Sequence, residues 1–184
     1  MTDIVETERQ RRVLINSASR ADLGVIEKIL RGTVQTPYGS GQVEEAEVKD
    51  ELERINKALD SSEEGQILIA RDEGNEVLGL AFFGKPDQRL ADFVKADPTT
   101  TVELRLLYLD PDKRKRGIGS SLLEKVEETA RNTGMHRIVL SSGPRYILIG
   151  SGSFYLKRGF RSIGTIANYF EGKYWARVFQ KELD

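Results

Sequence analysis

The stretch that most constrains the fold of this chain is Arg114-Lys115-Arg116-Gly117-Ile118-Gly119, a basic turn punctuated by two glycines. Before it, residues 102–109 read Val-Glu-Leu-Arg-Leu-Leu-Tyr-Leu, an apolar run of strand length; after it, residues 120–131 repeat apolar positions at helical spacing. A strand, a short turn and a helix in that order bring the helix N-terminus close to the strand's end. Gly117 and Gly119 lack a Cβ, so the backbone can come near a ligand, and the amides that open the helix have no intrahelical partners. With the positive end of the helix dipole, those amides attract an anion such as phosphate.

Any such recognition must be local. The net charge of -1 gives no global field that would draw nucleic acid or an acidic membrane. With 184 residues, 39% hydrophobic and 31% charged, the chain is expected to form one domain that buries roughly 70% of its unfolded surface. It has no cysteine, which removes disulfides, thiolate zinc sites and a cysteine nucleophile. His136, the single histidine, stands between a helix stop at Gly134 and the next strand and reads as an edge residue; no metal is expected. Residues 1–12 are polar, read as a flexible N-terminus, and no apolar run reaches the ~18 residues of a membrane span. A cytoplasmic protein is expected, with neither nucleic acid nor membrane as partner and with a homodimer left open.

Periodicity supplies the rest of the framework. Val13-Leu14-Ile15 reads as a first strand, and Ser19-Arg20-Ala21-Asp22 resembles a capping box one methylene short, opening a helix with Leu23, Ile26, Leu30 and Val34 on one face. A loop at 36–41 follows. Val48, Leu52, Ile55 and Leu59 mark a second helix, whose exposed side is expected to carry Glu44, Glu45, Glu47, Asp50, Glu51 and Glu53. Residues 67–70 and 77–83 form a hairpin around Asp72-Glu73-Gly74-Asn75. Residues 84–101 read as a long connection, of the kind that often carries function. Beyond the helix that ends at Gly134 come a strand at 138–140, a helix near 153–158, and two strands at 162–170 and 174–183 around Glu171-Gly172-Lys173.

Two familiar phosphate motifs are absent. There is no G-x-x-x-x-G-K-[ST], and the dinucleotide pattern fails because Leu122 stands where a third glycine is needed. What remains is Arg114-x-x-Gly117-x-Gly119 on the first turn of a helix, after a strand containing Glu103. This resembles the cofactor segment of the GCN5-related N-acetyltransferase (GNAT) superfamily. Residues 103–111 look like that family's fourth strand, and Phe154-Tyr155-Leu156-Lys157-Arg158-Gly159-Phe160 resembles its later F-Y-x-x-x-G-F segment. The match is strongest from 102 to 160, and the order of the other elements extends it over almost the whole chain.

The resemblance implies an α/β (α+β) fold: a mixed central sheet of six or seven strands, splayed between the fourth and fifth, flanked by about four helices. It implies an N-acetyltransferase using acetyl-CoA. The donor's pantetheine arm would pair with the main chain of Leu107, Tyr108 and Leu109, and its pyrophosphate would rest on Arg114, Lys115, Arg116, Gly117, Ile118, Gly119 and Ser120. It also implies catalytic roles for Glu103, as the base that deprotonates the incoming ammonium, and for Tyr155, as the acid that protonates the leaving thiolate. A phenol of pKa about 10 can serve a thiolate of about 8.5. Plainer roles for these two are a solvent-facing or Arg105-paired carboxylate and a packing aromatic. The family's frequent asparagine seven residues before the tyrosine is Leu148 here.

Without cysteine there is no thioester intermediate on the enzyme, so direct attack in a ternary complex is expected. The acceptor is an amine, of a small molecule or a protein, met by residues 36–42, 84–101, 141–153 and the last hairpin. The acidic positions between 44 and 53 would suit a cationic amine if they faced the site, whereas Pro144-Arg145-Tyr146 would suit an acceptor carboxylate. A non-catalytic acetyl-CoA-binding domain, and a nucleotide-binding regulatory domain using the same turn, are the alternatives.

Overall fold

The computed structural model describes residues 13–34, 43–113, 117–170 and 172–184. Seven strands make one mixed sheet: β1 (Leu14–Ser17), β2 (Gln66–Arg71), β3 (Val77–Gly84), β4 (Thr101–Leu109), β5 (Arg137–Ser142), β6 (Arg161–Phe170) and β7 (Tyr174–Glu182), in the spatial order β1-β2-β3-β4-β5-β7-β6. Among the described residues six α-helices accompany them: α1 (Leu23–Thr33), α2 (Glu45–Asp60), α3 (Gln88–Val94), α4 (Ile118–Asn132), α5 (Pro144–Leu148) and α6 (Ser151–Leu156).

The sheet is covered on both faces, which is why β3 reads as a continuous apolar run rather than an alternating one. On one face α4 lays Leu122, Leu123, Val126 and Ala130 against Leu68, Leu104, Ile138 and Leu140. On the other, Ile26 and Leu30 of α1 and Val48 and Ile55 of α2 meet Ile69, Leu80, Phe82 and Leu106. The capping box at Ser19 forms despite its short acid: the Ser19 amide donates to Asp22 Oδ2 at 2.8 Å. A 3-10 turn at Arg20–Asp22 takes up the missing methylene before α1 begins.

One irregularity positions the site. Phe82 pairs with Leu106 and Phe83 with Leu104, so Arg105 is an extra residue on β4. Such a bulge bends its strand. β4 runs parallel to β5 only through Thr101, Val102 and Glu103, which pair with Arg137, Ile138 and Val139. Past Glu103 the two strands part. β5 goes on pairing with β7 through Ser142, and β4 with β3 through Leu109. The splay expected between the fourth and fifth strands is present.

Three expectations change. The 84–101 connection contains α3, whose N-cap Asp87 accepts the Leu90 amide at 3.0 Å, and Pro144, fit for a first helical position, opens α5 inside the 141–153 segment. These two short helices raise the count from about four to six. Third, the acidic side of α2 is not wholly solvated. Glu51 is largely buried, and with Glu44 and Glu47 it lines an internal cavity, because the helix packs its flank over the splay. The N-terminal residues 1–12 and the 36–42 loop lie outside the described residues.

Candidate active site

A cavity of about 1100 Å³ opens where β4 leaves β5, bounded by α2, the start of α4, the α5–α6 segment and the β6–β7 hairpin. Glu103, Leu107, Tyr108, Leu109 and Tyr155 all line it, as do Gly117, Ile118, Gly119 and Ser120. Arg114, Lys115 and Arg116 fall outside the described residues. Of the segments expected to meet an acceptor, 84–101 contributes Asp87 and Arg89, 141–153 contributes Tyr146, and the hairpin contributes Tyr169, Phe170 and Tyr174.

Glu103 is the last β4 residue that pairs with β5, and only 5% of it is exposed. Burial pushes its carboxyl up to about 7; the Asp87 amide, which donates to Oε2 at 2.8 Å, opposes that rise, and the Asp87 charge adds to it. Arg105 approaches Oε2 at 3.8 Å, so the pairing with Arg105 is also present, though loosely. A carboxyl that changes charge near neutrality can accept and release a proton at physiological pH. Asp87 is itself held by the Tyr169 hydroxyl, which donates to Oδ2, and Tyr169 lies beneath the Arg89 guanidinium, 5.0 Å from the ring centroid. Sequence reasoning missed this support. The Asp-x-x-Leu N-cap spacing could have signalled Asp87, but nothing local marks Tyr169.

Tyr155 sits in α6 with its ring in the core, edge-on to Phe154 and Phe160 with centroids at 5.2 Å and 5.5 Å. The packing role expected as its alternative is therefore real. Its residue also borders the cavity, and burial pushes its phenol well up, which keeps the proton on the oxygen at neutral pH.

At the glycine turn, Gly117 adopts φ +76°, the left-handed conformation that glycine accepts most readily. The Ser120 and Ser121 amides donate back to the Gly117 carbonyl at 2.9 Å and 3.1 Å. Ser120's amide is thus spent on the turn, and the amides ahead of it remain as the helix's anion-facing donors. The Ile118 side chain is buried in the core, which limits it to a main-chain role. Arg158, another residue not singled out from sequence, donates to Ser120 Oγ and stacks over Phe154 at 4.0 Å, adding a fixed cation beside the turn. Its i, i+4 spacing from Phe154 was the available signal.

The residues present fit acetyl-CoA: the β4 edge past Glu103 is open to an extended amide ligand, and a left-handed glycine and a fixed arginine stand at the start of α4, whose free amides suit a phosphate. The acetyltransferase (GNAT) family model matches residues 30–160. This chain belongs to the GNAT family. The GNAT fold is equally plain in three solved structures. A protein from Desulfovibrio desulfuricans described as GNAT family shares 16% identity, 94% of this chain and all of its own, at a TM-score of 0.72. A Salmonella typhimurium protein determined with its cofactor acetyl-CoA shares 21% identity, covering 94% of this chain and 95% of its own, at 0.65. The ribosomal-protein-S18-alanine N-acetyltransferase of Escherichia coli shares 16% identity over the same fractions, at 0.66. At such identities the likeness carries the fold. Comparison with curated proteins gives no match. This GNAT chain has no helix long and apolar enough to cross a membrane, and no group of three metal-ligating side chains, among its described residues.

Proposed function

We propose that this GNAT acetyltransferase moves the acetyl group of acetyl-CoA to a primary amine by direct attack, with both substrates bound at once. The observation that carries the reading is Glu103, buried in the cavity wall with its carboxyl raised to about 7, on the cavity that Tyr155 also borders.

Acetyl-CoA supplies an acyl group activated as a thioester. The main chain of Leu107, Tyr108 and Leu109 holds its extended arm, and residues 114–119, including Arg114, Lys115 and Arg116, cradle its pyrophosphate. Glu103, directly or through a water, takes one proton from the incoming ammonium. The freed nitrogen lone pair forms the N–C bond, the C–S bond breaks with its electron pair going to sulfur, and Tyr155 supplies the sulfur's proton. The nitrogen's surplus proton returns to Tyr155 through water, and Glu103 releases its own to solvent. Holding both reactants together contributes much of the rate.

The test is the pH dependence of thiol release with a primary amine. The kcat/KM should rise through a pKa near 7, and Glu103→Gln should lose that limb and fall by about 10²- to 10⁴-fold. A Glu103→Gln variant with the wild-type profile would remove Glu103 from the base role.

A further inference from the structure

We infer, taking the acetyl-transfer reading as its basis, that the acceptor is a linear diamine whose distal ammonium is received by Glu51 beside Tyr108 and Tyr146. The β4 side chain of Tyr108 and the α5 side chain of Tyr146 meet across the cavity, hydroxyl to hydroxyl at 3.0 Å and with ring centroids 5.7 Å apart. Burial raises both phenols; the charges of Glu47 and Glu51, one turn apart on α2, add to that rise, and at Tyr146 the Arg145 charge opposes it. Two carboxylates and two aromatic rings therefore share one end of the cavity, an arrangement that attracts a cation through charge and through the ring faces.

The distribution of satisfied and unsatisfied atoms points the same way. Five arginines line the cavity, Arg145 beside Tyr146 and Arg158 at the Ser120 hydroxyl among them, and the other three are taken up by the protein. Arg54 pairs with Glu51 Oε1 at 3.4 Å, Arg105 donates to the carbonyls of Glu64 and Lys85, and Arg89 to those of Asn168 and Tyr169. Among the described residues, Glu51 Oε2 and Thr33 Oγ1 are buried and have no hydrogen-bond partner. Thr33, only 5% exposed, ends α1, which the Glu44 amide ties to the start of α2 by donating to the Val34 carbonyl at 3.4 Å. Buried acceptors left unmade are costly and call for a partner. An alkylammonium brings three donors and no acceptor, which suits a buried carboxylate oxygen without a donor. A monoamine leaves Glu51 Oε2 without a donor, and an acceptor with a distal carboxylate sets a further negative charge against Glu47 and Glu51.

The experiment is thiol release from acetyl-CoA with butylamine, putrescine and γ-aminobutyrate, three acceptors that differ only at the distal end. In the wild type, kcat/KM for putrescine should exceed that for butylamine by about tenfold or more, mostly through KM, with γ-aminobutyrate lowest. Glu51→Gln, and separately Tyr146→Leu, should bring the putrescine-to-butylamine ratio close to one. Equal use of the two amines by the wild type, preference for γ-aminobutyrate, or a ratio unmoved in both variants would overturn the inference. If neither variant folds, the wild-type ratio decides. If no acceptor releases thiol, the acyl-transfer reading has failed. The same three compounds are then titrated calorimetrically into CoA-saturated protein, where selective putrescine binding supports the ammonium site and equal binding of butylamine overturns it.

Discussion

The backbone amide of Asp87 donates to Glu103 Oε2 at 2.8 Å, tying the N-cap of α3 to the last residue of β4 that still pairs with β5. A buried carboxyl gains a fixed orientation from this bond, yet its charged form remains disfavoured, because burial outweighs the amide. Folding therefore holds a proton on Glu103 over a pH range in which the unfolded chain has already released it.

The sign of the stability effect follows. Glu103 titrates at an ordinary 4.5 when unfolded and near 7 when folded, so its contribution is fully present below about pH 4.5 and is lost as pH rises through 7. The loss amounts to about 3 kcal/mol. Glu103→Gln keeps an oxygen for the Asp87 amide and never ionises. Its melting temperature should match the wild type at pH 4 and exceed it at pH 8, by on the order of 5–10 °C. Thermal melts at the two pH values check this, and a difference that shrinks with pH counts against it.

Tyr155→Phe removes only the hydroxyl and leaves the ring in its packing against Phe160 and Phe179. Thiol-release kinetics should show kcat lowered by about 10²-fold or more, with acetyl-CoA affinity nearly unchanged. An unaltered kcat would return Tyr155 to a purely structural role.

At Gly117 the obstacle to substitution is conformation rather than space, since an added Cβ meets no atom within 4 Å but φ is +76°. Gly117→Val should strain the turn by about 1–2 kcal/mol and weaken acetyl-CoA binding about tenfold. Calorimetry giving wild-type affinity would disprove the phosphate cradle.

Tyr169→Phe withdraws a hydrogen bond from Asp87, whose charge already pushes the Glu103 carboxyl upward. With that charge less satisfied, the acid limb of the kcat/KM profile should move to higher pH. A limb displaced to lower pH, or fixed in place, would show that Tyr169 acts only in packing.

The parts of this enzyme that were legible in its sequence are those set by short-range rules. Helical and strand periods located every strand, and the glycine turn marked the start of α4, because amide donors and backbone freedom are properties of neighbouring residues. Glu103 stood out as a carboxylate inside an apolar strand. Its raised pKa did not, since that comes from burial created by the whole sheet, to which the charge of Asp87, sixteen residues earlier, adds. Glu51 was misplaced for a related reason. Periodicity divides a helix into a core side and a solvent side, and it has no third category for a flank that covers a cavity. Tyr169 and Arg158 act across gaps that only the folded sheet closes.

Arg105 is a single inserted residue, and the side chains beyond it, Leu106 and Tyr108 toward α1 and α2, Leu107 and Leu109 toward α4, follow the same alternation they would have without it. Deleting Arg105 would thus keep every later β4 side chain on its present face while letting the strand run straight beside β5. The product would be a straighter sheet without the opening between β4 and β5. In this chain, catalytic space is a matter of one residue too many.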